Sequence, residues 1–349
     1  MSAFPTYTPQ ADVLRCSEKI ITQSAMEFGM PIASSAFSDD TGCHFAEDTN
    51  GNMIILDMWK RIGDRTNSNF TVMGMPGKGK SFFVKSILLG EWMRGTRIYI
   101  IDPEREYVKM VEEEMEGEVL RVGANSKGSM INPLQIRSVS SSSKDEKNPD
   151  GEDTANLASH LKTVETFFDL YLEDITASQK ALLKDMTIKA YAKYGITFES
   201  DISNLTNKDY PVMKDIYDLI DFEITKLDMK KKRGENVSTV EYNDYVQLRG
   251  LMKDIAVGGD SFIWNGETTI HSDSKVVALD TSGFAEGNEK LKKIQYFNVL
   301  TWVWEQASQN REERCIIVAD EAYMMIDQRV PTALIHMRNM AKRGRKYNV

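Results

Sequence analysis

With 349 residues, the chain is long enough for one large α/β domain carrying an insertion or for two ordinary domains, and its 41% apolar and 27% charged residues exclude the disordered and fibrous classes. No apolar run reaches the length of a membrane-spanning helix, and the opening MSAFPTYTPQADVLRC lacks the basic-then-apolar order of a secretory signal, so a cytosolic protein is expected. A net charge of −9 argues against a surface coated in nucleic acid, although a basic pore can sit inside an acidic shell.

In chain order, Val13–Met26 shows helical periodicity and runs into a turn-rich stretch, SSAFSDDTGCHFAEDTNGN. Compact apolar runs bounded by Gly, Asn or Asp predict short strands at Met53–Asp57 and Asn69–Met73, the second leading straight into a glycine-rich turn. Phe83, Ile87, Leu88 and Trp92 recur at helical spacing across Lys80–Met93, and Arg97–Ile101 reads as another strand. Strand, helix, strand predicts a parallel sheet. Ser138–Asp153, with five serines among charges, reads as a low-complexity surface loop. Beyond it, Leu157, Leu161, Val164, Phe168 and Tyr171 recur at three- and four-residue steps. Thr176 and Gln179 form a capping-box pattern before Leu182, Leu183 and Met186, so residues 154–256 are expected to be mostly helical. Strands return at Lys275–Asp280 and Cys315–Ala319, on either side of an amphipathic helix around Leu291–Gln309. The organisation expected is a lead-in over 1–50, an α/β core in two parts (51–137 and 263–349), a loop over 138–153 and an all-α insertion over 154–262.

The chemistry is carried by two motifs. Gly74, Met75, Pro76, Gly77, Lys78, Gly79, Lys80 and Ser81, followed by Phe82, fit the phosphate-binding loop G-x-x-x-x-G-K-[ST] between a strand and a helix. Glycines let successive N–H groups converge on phosphates, and the helix that begins at Lys80 turns its positive end toward the same anion. Lys80 is expected to bridge the β- and γ-phosphates of ATP, and the Ser81 hydroxyl to ligate Mg²⁺. A glycine-rich turn with an exposed lysine would give the same string, but the flanking strand and helix favour the functional reading.

Cys315-Ile-Ile-Val-Ala-Asp320-Glu321 is an apolar strand ending in two carboxylates. Asp320 is expected to hold the Mg²⁺ shell, and Glu321 to act as the base that polarises the attacking water. A rival base lies in Asp102-Pro-Glu104-Arg-Glu106-Tyr, but the adjacency of Glu321 to Asp320 favours Glu321. Asp102 and Glu104 are then expected to shape or sense the nucleotide pocket. Gln328–Val349 holds six basic residues and no acidic one. Within it Arg343 or Arg345 could stabilise a γ-phosphate in this subunit or a neighbour's, the run could touch DNA, or it could be a solvated helix end favoured by the dipole. Cys16, Cys43 and Cys315, odd in number and widely spaced, predict neither a disulfide framework nor a zinc site, and His44, His160, His271 and His336 show no metal spacing.

Together the phosphate loop, DPEREY after the next strand, Ile131-Asn-Pro-Leu134, the helical insertion, LDTSGF at 279–284, VADEAY at 318–323 and KRGRKY at 342–347 resemble the VirB4/TraE ATPases of type IV secretion and conjugation. The resemblance runs over roughly residues 24–349. It implies a RecA-like P-loop motor domain with an all-α subdomain, hexamers at the inner face of the cell membrane held there by channel subunits, and kinship with the HerA and FtsK translocases. DNA is a further candidate partner. The resemblance also implies a piece of a longer protein, in which residues 1–50 stand for little of the large N-terminal domain and the last core strand lies beyond Val349. The expected function is an ATP-hydrolysing secretion motor; a nucleotide-latched assembly scaffold and a DNA pump are the alternatives.

Overall fold

Four short strands pair into one parallel sheet. The structure, a computed structural model, describes residues 38–48, 51–123, 130–137, 157–202, 204–284, 288–325 and 331–349. The expected Val13–Met26 helix and Ser138–Asp153 loop lie outside the described residues. Internal contacts divide the chain into two units, Met1–Met58 and Trp59–Val349. In the first, β1 (Cys43–Glu47) and β2 (Met53–Leu56) form an antiparallel pair.

In the second unit the strands are β3 (Arg97–Asp102), β4 (Glu118–Arg121), β5 (Val276–Asp280) and β6 (Cys315–Ala319), in the order β4-β5-β3-β6. All neighbours run parallel, with Asp102 opposite Asp280 and Ile101 opposite Ala319. Parallel strands covered on both faces read as continuous apolar runs, and β5 is buried at all five positions. Alternation in β3 sends Ile98 and Ile100 to one face, where Leu88, Val84 and Trp92 of α1 (Lys80–Met93) pack. Tyr99 and Ile101 face the other side, within the larger core, where Tyr99 meets Trp302 edge to face at 6.4 Å.

The helical part comprises α2 (Leu157–Tyr171), α3 (Ala177–Lys193), α4 (Met213–Lys232), α5 (Thr239–Val257) and α6 (Ser261–Trp264). The capping box forms: the Thr176 hydroxyl accepts from the Gln179 amide at 3.2 Å and the Gln179 side chain accepts from the Thr176 amide at 3.1 Å. Such a cap supplies about 0.5–2 kcal/mol by satisfying N–H groups that a helix start otherwise leaves to water. Trp264 is fully buried, meets Phe167 and Tyr171 edge to face at 5.5 and 5.8 Å, and donates its indole N–H to Gln295 at 2.7 Å. This fastens the helices to α7 (Glu289–Ser308), each aromatic pair adding about 0.5–1.5 kcal/mol beyond its buried area. α7 is buried on every side from Ile294 to Trp304, so its apolar residues show no single stripe. It packs on α2 on one side and on β3 and β6 on the other. α8 (Pro331–Tyr347) lies against it.

The expected strand at Asn69–Met73 is not found. Among the described backbone hydrogen bonds none joins it to a strand, and Phe70 and Met73 are exposed. The Asn69 side chain donates instead to the Ala341 carbonyl at 3.1 Å. An apolar run supplies β propensity, but a strand also needs a neighbour to pair with, and none of the four strands pairs with this segment.

Candidate nucleotide site

In α/β sheets of this kind ligands gather beyond the carboxyl ends of the strands. Here those ends carry Asp102, Arg121, Asp280 and, one residue past β6, Asp320. The loop before α1 is exposed from Met73 to Gly79. Gly77 and Gly79 hold φ of 72° and 87°, a left-handed backbone that any side chain would strain. Gly79 is the residue that caps α1, no side chain accepts from the helix's first amides, and no acid stands in its first turn. The positive end of α1 is therefore left for an anion.

Lys80 begins α1 and its ammonium reaches the end of β6, 3.8 Å from Asp320 and 3.6 Å from Glu321. The two motifs, some 240 residues apart in the chain, thus meet at one point. Asp320 is set by the sheet, its amide donating to the Ile101 carbonyl at 3.3 Å. Its carboxylate accepts from the Glu321 amide at 3.0 Å, and its carbonyl accepts from the buried Tyr296 hydroxyl of α7 at 2.8 Å. Burial holds the Asp320 carboxyl above its ordinary range, only partly opposed by the Glu321 amide and the Lys80 ammonium.

Glu321 has φ of 53°, a conformation costly for a residue with a side chain and one that collects at functional sites. The turn is closed behind it by the Met324 amide, which donates to its carbonyl at 3.0 Å. Ser81 and Asp320 offer hard oxygen donors, a set that suits Mg²⁺, which takes few protein ligands and keeps several waters.

Asp102 has a different task from that of a catalytic carboxylate. It is fully buried and accepts from the amides of Glu106 and Tyr107, both at 2.9 Å, so it braces the turn that carries Glu104. Burial raises its carboxyl above the ordinary range. Glu104 itself is exposed. Beside this turn stands a residue that motif reasoning passed over: buried Asp280, 3.3 Å from Arg105 and 3.8 Å from Arg121, which also accepts from the Ser282 amide and hydroxyl at 3.0 and 2.6 Å. An aspartate closing an apolar strand, the same signal that marked Asp320, was present in LDTSGF. Tyr296 gave no such signal, because it sits inside a helix among apolar neighbours.

Phe82, just past the loop, and Met75 within it are 78% and 74% exposed, so neither is held by the core. Arg343 and Arg345 are exposed on α8. Among the described residues no hydrogen bond or ion pair joins either to Lys80, Asp320 or Glu321.

Residues 64–249 match the family described as the central domain of the helicase HerA, a match that takes in the loop and Lys80 and ends before Asp320. Among solved structures, VirB4 of Thermoanaerobacter pseudethanolicus is similar with a TM-score of 0.76 and 35% identity, covering 90% of this chain and 77% of that one. Among curated proteins, an uncharacterised protein of Bacillus anthracis is 22% identical over 326 residues, 86% of this chain and 47% of that protein. The chain therefore spans about half the length of the curated relative it matches.

Proposed function

Because the chain belongs to the VirB4-type P-loop ATPases with a HerA central domain, we propose that it hydrolyses ATP as the motor of a conjugative type IV secretion system. The observation that carries this reading is the position of Lys80, within 4 Å of both Asp320 and Glu321 at the uncapped start of α1. Loop amides from Gly77 to Gly79 and the Lys80 ammonium bind and orient the phosphates. Ser81 and Asp320 hold Mg²⁺, which supplies charge neutralisation on the phosphates when bound. Glu321 takes the proton of the attacking water, and a base at that place also favours turnover over a latch that only binds.

The same reading divides the chain into an ATPase core, 51–137 with 263–349, and an all-α insertion over 154–262. It expects hexamers attached to the inner membrane face through channel subunits. Among the described residues no helix is long and apolar enough to cross a membrane. The test is phosphate release by the chain with ATP: it should require Mg²⁺, and the rate per subunit should rise with protein concentration as subunits assemble. ATP binding with no phosphate release at any concentration would favour the latch.

An arginine finger from a neighbouring subunit is part of this proposal. At about 100° per residue, Arg343 and Arg345 point from α8 about 160° apart, so one of them at most serves a given neighbour. Fingers of this kind contribute about 10³–10⁵ in rate. Mixing Lys80→Ala subunits with Arg343→Ala or Arg345→Ala subunits should restore phosphate release for one arginine and not the other. Recovery with neither, in mixtures shown to assemble, removes the finger.

A further inference from the structure

The turn that carries Glu321 is tied to the helical part of the molecule through α7. The Tyr296 hydroxyl donates to the Asp320 carbonyl at 2.8 Å, fixing the peptide that leads into the left-handed Glu321. The Tyr296 side chain is buried. Two residues on, Asn298 faces away from the sheet. Its side chain donates to the Ile131 carbonyl at 2.9 Å and accepts from Arg137 at 2.9 Å. The Arg137 guanidinium also donates to the Asn298 carbonyl at 3.1 Å and to the Thr301 hydroxyl.

The 131–137 segment is bound in turn to the helices. Asn132, fully buried, donates to the Pro211 carbonyl at 3.0 Å, and the Tyr191 hydroxyl of α3 donates to the Leu134 carbonyl. α7 is thus a helix packed without free surface over three turns, with the Asp320–Glu321 peptide on one side and a polar joint to the helical part on the other. Helices so enclosed move as rods, and interiors transmit displacement rather than absorb it.

We propose that Tyr296 is a positioning residue for Glu321, and that Asn298 and Arg137 make its placement depend on the helical insertion. Movement of those helices, as on meeting a partner, then alters turnover while leaving nucleotide binding alone. This deepens the ATPase reading and rests on it, except in its first test.

That first test needs no catalysis. In Asn298→Ser, amide hydrogen exchange at Glu321 and Met324 should accelerate about tenfold, as expected when a local opening becomes easier, while Ile316–Val318 in β6 keeps its rates. Unchanged exchange at Glu321 and Met324 overturns the coupling, and so does equal acceleration throughout β6, which would mean general loosening. The second test uses Tyr296→Phe, which keeps the ring and loses the bond. Turnover should fall about tenfold with Mg·ATP affinity within about twofold, and in a Glu321→Gln background the same change should cost almost nothing, since both act through one group. A tyrosine that only satisfies a buried carbonyl predicts the opposite: affinity and turnover falling together, with losses that add. A chain that never releases phosphate defeats the proposed function alone, and the exchange measurement still decides the coupling.

Discussion

Glu321→Gln should bind Mg·ATP as the unaltered chain does and release phosphate at least about a hundredfold more slowly, the usual contribution of a positioned general base. Glutamine keeps the shape of the side chain and its hydrogen-bonding reach, so the left-handed turn, the Met324 amide contact and the Tyr296 bond to Asp320 all survive. What disappears is the ability to accept a proton from water. Because the substitution also removes a negative charge 3.6 Å from Lys80, phosphate affinity should hold or improve slightly, which separates loss of the base from damage to the site. Phosphate release is measured at saturating Mg·ATP, with Glu104→Gln as the comparison. Glu104 is exposed on a turn braced by Asp102, and its variant should keep most of its activity. If Glu104→Gln is inactive and Glu321→Gln is normal, the base has been assigned to the wrong turn.

Lys80→Ala should lose both affinity and turnover. Its ammonium is the one cation that the described structure brings to the Asp320–Glu321 end of β6, and each hydrogen bond from a charged donor is worth about 1.5–3 kcal/mol. At about 1.4 kcal/mol per tenfold, Mg·ATP binding by calorimetry should weaken by about 10- to 150-fold. There is a second consequence. Without the ammonium, Asp320 and Glu321 face each other with their charges unopposed, in a place where burial already raises the Asp320 carboxyl, so the metal ligand is less readily ionised. Lys80→Arg keeps the charge but spreads it over a larger planar group, and should recover only part of the affinity. Binding left intact in Lys80→Ala would sink the assignment of the loop.

Much of the site could be read from the chain because its parts are local. The loop, its glycines and the helix start are neighbours in sequence, and φ values that only glycine adopts freely leave a mark at Gly77 and Gly79. Asp320 and Glu321 close an apolar run whose length and composition announce a buried parallel strand. The fold class followed from the same local signals: compact apolar runs bounded by turn residues, helical spacing after residue 157, and the Thr176 capping box.

What the chain alone left open was decided by partners distant in sequence. A strand exists only where a neighbour pairs with it, and the apolar Asn69–Met73 segment remains outside the sheet because none of the four strands does so. Asp102, Asp280 and Asp320 are three aspartates ending or following three strands, and only Asp320 carries a local mark, the glutamate that follows it. Their surroundings separate their tasks: two amides on Asp102, two arginines on Asp280, an ammonium on Asp320. Arg343 and Arg345 stand two residues apart in the chain, and that step sends them to nearly opposite sides of α8. Sequence by itself determined most of the helices, three of the four strands of the parallel sheet and the loop offered to a phosphate, because backbone propensity, apolar period and glycine φ are properties of short stretches. Only the tertiary structure decided how near Lys80 comes to Asp320 and Glu321, and that a tyrosine from α7 grips the backbone between them, because charge and hydrogen bonding act over a few ångströms of space, whatever the distance along the chain.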